Sequence, residues 1–110
     1  MTASPDGGTE AQQTLARPVS VTGVGLMFGA PCTVHLHPAE PGSGIRFHRT
    51  DLPDSPPIAL ADCELVSDVA RATAIEANGI RVHTVEHLLS ALGGLRVDNV
   101  RVDADAPEIP

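Results

Sequence analysis

The chain of 110 residues has no tryptophan, no tyrosine and only two phenylalanines. An aromatic core is thereby ruled out, and any interior must be assembled from Val, Leu, Ile and Ala. Basic residues are also scarce: seven Lys and Arg stand against 14 Asp and Glu, a formal net charge of −7. No basic stripe exists to pair with phosphates, which argues against nucleic acid as the main partner. Local basic residues still suffice to meet an anionic small molecule. No run approaches the ~18 apolar residues of a membrane span, and the N-terminus lacks the basic region and apolar stretch of a signal peptide. The expectation is a soluble, cytoplasmic protein with no transmembrane segment. Of cysteines there are two, Cys32 and Cys63, at a spacing that matches no zinc ribbon or finger. They read as small buried hydrophobes in a reducing compartment, with a disulfide the minority case.

What is present is a hydrophobic content of 42% in a length that suits one small domain. Such a domain buries roughly two-thirds of the surface of its unfolded chain, enough for a modest core. Residues 1–12, rich in Thr, Ser, Gly, Pro and Gln, read as a disordered tail, and residues 13–110 as the domain. Val19 and Val21 mark a strand, with Thr22-Gly23-Val24-Gly25 as a glycine-punctuated bend. Residues 33–37 alternate as a second strand that Pro38 ends. Pro41-Gly42-Ser43-Gly44 is a turn, and residues 45–49 a third strand, so residues 33–49 suggest a β-hairpin. Residues 51–57 hold three prolines and form a loop. Two further β-like runs span 60–66 and 70–76. Asn78-Gly79 is a strong two-residue hairpin signal, pairing the run up to Ile75 with Ile80-Arg81-Val82.

A helix follows. Val85, Leu88, Leu89 and Leu92 fall at i, i+3, i+4 and i+7, an apolar stripe, with Thr84 as N-cap and Gly93 as the residue that stops it. Asn99 to Asp103 alternates as a last strand. The sum is an α+β domain, a two-layer sandwich of a mainly antiparallel sheet with a packed helix. The segment Glu108-Ile109-Pro110 lacks the polar character of a free tail, which suggests a piece of a longer design.

The candidate chemistry lies in His83-Thr84-Val85-Glu86-His87. At 100° per residue with Val85 at zero, the buried helix face centres near zero, Glu86 lies near 100° and His87 near 200°. Both sit in the first turn, where the helix dipole favours a carboxylate. Glu86 beside a metal is suited to take a proton from acidified water. On pattern alone, Glu86 also reads as a dipole-complementing residue and His87 as an exposed polar one. One His cannot hold a catalytic zinc, which needs about three protein ligands. The five residues also fit the His-x-x-Glu-His signature of inverted zinc peptidases, but an N-cap at Thr84 leaves His83 outside the helix. His35 and His37 share one strand face, where a weak metal pair is conceivable and solvated histidines are the expectation.

The wider context narrows the choice. Thr84-Val85-Glu86-His87-Leu88, an Ala-Leu-Gly-Gly-Leu helix end and Asp98-Asn99 resemble the first domain of UDP-3-O-acyl-N-acetylglucosamine deacetylase, the zinc amidase of lipid A synthesis. Gln13-Thr14-Leu15, Thr22-Gly23-Val24-Gly25-Leu26, Arg49-Thr50-Asp51-Leu52 and Asp105-Ala106-Pro107-Glu108-Ile109-Pro110 are similar to further family segments, in the family's order. The resemblance covers residues 13–110. It implies two similar α+β domains with the active site between them, and a cytoplasmic enzyme that removes the N-acetyl group from a UDP-linked 3-O-acyl glucosamine. It implies Zn2+ as cofactor, His87 as a metal ligand and Glu86 as the catalytic general base; His83 carries no role. The other zinc ligands, a His and an Asp, belong to the second domain, which is expected as the partner that completes the site. The 110 residues alone are expected not to deacetylate. Met27 stands where the family usually has His, and a thioether cannot replace an imidazole as proton donor. The alternative is a non-catalytic relative that binds a nucleotide-sugar or a protein through the same surface.

Overall fold

A computed structural model describes residues 11–52, 54–67 and 73–110. Among these residues eight strands and one α-helix follow one another: β1 (Val19–Val24), β2 (Pro31–Pro38), β3 (Ile45–Arg49), β4 (Ile58–Ala59), β5 (Glu64–Ser67), β6 (Thr73–Ala77), β7 (Ile80–His83), α1 (Glu86–Gly94) and β8 (Val100–Ala104). They make a five-stranded sheet in the order β1-β2-β8-β3-β4 and a three-stranded sheet in the order β5-β6-β7. Pairing is antiparallel throughout, except that β3 runs parallel to β8. The α+β class and the mainly antiparallel pairing are as expected.

The strand order corrects the hairpin expected over 33–49. β2 and β3 do not pair; β8 lies between them, with Leu36 and Phe47 both opposite Val102. The turn between them is pinned open around the start of β8. The Asn99 side chain accepts the Gly44 N–H at 2.8 Å, and the Gly44 carbonyl accepts the Val100 N–H at 3.0 Å. Inserting β8 satisfies its backbone groups on both edges and buries Val100, Val102 and Ala104 on one face. The opposite face carries Arg101, and alternation puts His35, His37 and His48 on that side too.

Other boundaries shift for local reasons. β1 runs on through Val24, so the bend starts at Gly25, whose N–H donates to the Ala30 carbonyl and whose carbonyl accepts from Gly29. The run expected over 60–66 is broken: Leu60–Asp62 is a 3-10 turn, and β5 begins at Glu64. β4, which falls between the expected loop over 51–57 and the expected run over 60–66, pairs with β3 through Ile58 and Phe47. The strand expected over 70–76 is β6 from Thr73; residues 70–72 lie outside the described residues, as do residues 1–10 of the expected tail. Gln12 accepts from the Gly42 N–H and from Asn99 Nδ2. Asn78 and Gly79 both have positive φ, 54° and 78°, the combination a type I′ hairpin turn requires.

The helix packs its stripe on the sheets as the spacing demands. Val85 and Leu92 are in the core, with Leu88 and Leu89 against it. Both expected ends are corrected. Thr84 is not the N-cap: it sits at φ 60°, its hydroxyl is spent elsewhere, and Val85 takes the capping position without a side-chain hydrogen bond. Gly93 does not stop the helix. Arg96 takes the left-handed conformation instead, at φ 58°. Arg96 N–H then donates to Gly93 and Val97 N–H to Leu92, the paired bonds of a Schellman end. Leu92 and Val97 belong to the same apolar cluster, and that contact selects the later stop.

Candidate active site

Residues 83–87 are held from three sides. His83 ends β7 because its backbone turns to the chain's last segment: its N–H donates to Pro107 at 2.8 Å, and its carbonyl accepts from Ile109 at 3.1 Å. Its ring meets Phe28 edge-on, with centroids 4.9 Å apart. The Val85 N–H donates to the Thr73 carbonyl at 3.1 Å, fixing the start of α1 to β6.

Glu86 and His87 then leave the first turn in different directions. His87 is exposed and borders a cavity of about 230 Å³ with Val21, Val34, Leu36, Leu88, Ile109 and Pro110. Glu86 is half-buried, and its Oε2 accepts the Thr73 N–H at 3.2 Å. Its Oε1 is buried with no hydrogen-bond partner among the described residues. A buried carboxylate oxygen left unpaired costs about 1–3 kcal/mol or more, so this atom is poised for a partner that the described residues do not supply.

An imidazole and a carboxylate on one helical turn fit the donor chemistry of zinc, and the orphaned Oε1 fits a base beside it. Among the described residues no group of three His, Cys, Asp or Glu is placed to hold a metal ion. His87 is therefore at most one ligand of such a site. His83 belongs to β7 and not to α1, so the i, i+4 histidine pair of an inverted zinc peptidase does not form. His35, His37 and His48 lie on the far side of the sheet. His35 Nδ1 meets Ser20 Oγ at 2.7 Å, while His37 and His48 flank Asp103 at 3.2 and 3.8 Å. Cys32 and Cys63 are both free thiols.

One buried carboxylate was not foreseen as part of this site. Glu108, 1% exposed, accepts the N–H of Met27 at 2.9 and 3.0 Å, the N–H of Phe28 at 2.8 Å and the Thr84 hydroxyl at 2.7 Å. Burial by itself would raise its pKa. The Phe28 N–H, the Thr84 hydroxyl, the Met27 N–H and the nearby His83 outweigh that, and hold the group below the usual carboxylate range. A readable signal existed: a glutamate between Pro107 and Ile109-Pro110 has no reason to be in an apolar segment unless it is hydrogen-bonded.

Residues 12–110 match the family described as UDP-3-O-acyl N-acetylglycosamine deacetylase. The chain belongs to this deacetylase family. The UDP-3-O-acyl-N-acetylglucosamine deacetylase of Myxococcus xanthus (strain DK1622) is 49% identical over 100 residues, which cover 90% of this chain and 31% of the relative. Those of Psychrobacter sp. (strain PRwf-1) and of Nostoc sp. (strain PCC 7120) are each 48% identical over 99 residues, covering 90% of this chain and 33% and 35% of the relatives. The chain thus spans about a third of the length of the curated relatives it matches.

Seen as a deacetylase-family segment, its motifs divide into two kinds. Thr84 to His87 carry the candidate chemistry. The others are latches. Gln13 and Thr14 bind Asp98 and Asn99 through main-chain and side-chain hydrogen bonds. Arg49 and Asp51 pair with each other. Gly25 makes room for Glu108, since a Cβ there would lie 2.1 Å from Glu108 Oε1. Met27 serves Glu108 through its backbone N–H.

Proposed function

We propose that the protein hydrolyses the N-acetyl amide of a UDP-3-O-acyl-N-acetylglucosamine, a cytoplasmic step of lipid A synthesis. His87 is a zinc ligand and Glu86 the general base. The reaction class and substrate rest on the names of the relatives; the role of Glu86 rests on one observation, the buried Oε1 of this residue, which has no partner among the described residues and immediately precedes His87 in the first turn of α1. The remaining ligands come from a second domain of the same kind. Two apolar residues are bare to solvent, Val21 on the cavity that His87 borders at 50% exposure and Leu26 in the Gly25–Phe28 loop at 91%, which supports a covering body there.

When bound, zinc supplies a Lewis acid that acidifies water and polarises the amide carbonyl. The protein's own part is proton handling and aim. The Thr73 N–H on Oε2 fixes the Glu86 carboxylate and leaves Oε1 to receive a proton from the attacking water. As oxygen bonds to the carbonyl carbon and the C–N bond breaks, that proton passes to the departing amine nitrogen. Acetate and the free amine are the products.

The test uses the protein expressed from its full gene. Glu86→Gln is expected to keep bound zinc and to lower kcat by about 10²–10⁴-fold, the range of general-base catalysis. His87→Ala is expected to lose the metal. Unchanged kcat in Glu86→Gln would end this reading. Tight binding of the nucleotide-sugar without turnover by the unaltered protein would instead favour the non-catalytic relative, for which Met27 in place of His speaks.

A further inference from the structure

Glu108 takes no part in the proposed proton transfer, yet it is the least exposed charged residue described. Its three donors come from two segments that are remote in sequence. Met27 and Phe28 offer successive N–H groups, which form a concave anion cradle, and Thr84 offers its hydroxyl. Behind the cradle stands Gly25, where any side chain would strike Oε1. The third segment is its own, bridged to His83. Thr84 is held at φ 60°, a region a β-branched residue enters only when its surroundings compel it. The chain leaves Thr84 directly into Val85, Glu86 and His87, so the Thr84 conformation sets the direction in which α1 departs.

We infer that Glu108 is a positioning residue for the Glu86–His87 pair: its carboxylate locks the Thr84 turn against the Gly25–Phe28 loop and thereby aims the first turn of α1. This rests on the roles given to Glu86 and His87 above. The action runs through Thr84 and not through contact with substrate. A carboxamide at position 108 removes the negative charge and turns the oxygen that receives the Thr84 hydroxyl into a donor, so Glu108→Gln weakens the grip on Thr84 without changing the side chain's size.

The experiment again uses the protein from its full gene. Glu108→Gln and Thr84→Val are each expected to lower kcat roughly 10- to 100-fold, the usual effect of removing a supporting partner, with KM and zinc content unchanged. Thr84→Ser keeps the hydroxyl and restores kcat relative to Thr84→Val. The double variant Glu108→Gln/Thr84→Val is no worse than either single one, because both remove the same contact. In amide NMR spectra Glu108→Gln moves the resonances of Met27 and Phe28 and, through the turn, those of Glu86 and His87. An unchanged kcat in Glu108→Gln overturns the inference, as does additivity in the double variant, or amide shifts confined to residues 27 and 28. If Glu108→Gln fails to fold, the Thr84→Val and Thr84→Ser pair decides. If the unaltered protein neither binds zinc nor turns over substrate, the functional reading falls, while the amide shifts at 86 and 87 still report whether Glu108 aims them.

Discussion

Arg49 and Asp51 close a two-point clasp across one intervening residue: Nε donates to Oδ1 at 2.8 Å and NH2 to Oδ2 at 2.6 Å. The remaining amine of Arg49 reaches the Arg81 carbonyl at 2.9 Å, so the clasp ties β3 of one sheet to β7 of the other. Hydrogen bonds from Arg49 hold the Asp51 carboxyl below its usual pKa, against a smaller opposing effect of burial. A depressed folded-state pKa adds stability above the ordinary aspartate value of about 3.9 and loses it as pH falls through the folded value. Asp51→Asn is expected to lower stability by about 1–2 kcal/mol at neutral pH. Well below the aspartate range, wild type and variant should converge. Urea denaturation at both pH values checks this, and a pH-independent gap would refute it.

Arg96 occupies a left-handed position that glycine enters without strain. The residue is exposed. Arg96→Gly is expected to raise stability by about 1 kcal/mol, since relief of the Cβ strain exceeds the added flexibility of the unfolded chain. A lower midpoint in thermal denaturation would show that the arginine side chain contributes more than its backbone costs.

The two thiols differ in access more than in chemistry. Burial, reinforced by the Asp105 carboxylate, pushes Cys32 up to about 11. Burial also raises Cys63, with a further push from Asp62, but Cys63 is only partly covered. Both are protonated near neutral pH, and the thiolate is the reactive form. Iodoacetamide is expected to modify native protein slowly, at Cys63 first and at Cys32 only on unfolding. Prompt labelling of Cys32 in the folded protein would contradict the packing of β2.

Asn99 is buried and bonded on three sides: its side chain accepts from Gly44 and donates to Gln12, and its backbone carbonyl accepts from the Thr14 hydroxyl. Asn99→Ala strands the Gly44 N–H and is expected to cost about 1–3 kcal/mol. Hydrogen exchange should speed up at Gly44 and Val100 more than at Ile75. Equal acceleration everywhere would mean that the side chain supports the whole fold and not this turn.

Local signals were readable in proportion to how local their causes are. Asn78-Gly79 carries its turn type in its own two residues, and the stripe from Val85 to Leu92 carries its helix. The β2 alternation likewise survives intact. Strand order was not readable, because the choice of β8 over β2 as the partner of β3 is made by Asn99, 55 residues from the glycine it binds. The helix start was misread for a related reason. Thr84 is a good cap by type, but its hydroxyl is claimed by a carboxylate 24 residues away. At the site, Glu86 and His87 stand out because they are adjacent in sequence. The grip of Glu108 on Phe28 spans 80 residues, a distance over which no periodicity speaks.

The placement of β8 also dictates a schedule for the newborn chain. As residues leave the ribosome, β1 and β2 can meet, and so can β3 and β4, but the free edges of β2 and of β3 stay unpaired until Val100–Ala104 arrives. Among the described strands, β8 alone joins the two halves. Closure must await contacts distant along the chain, which slows folding and leaves two unpaired edges open to other nascent chains in the interval.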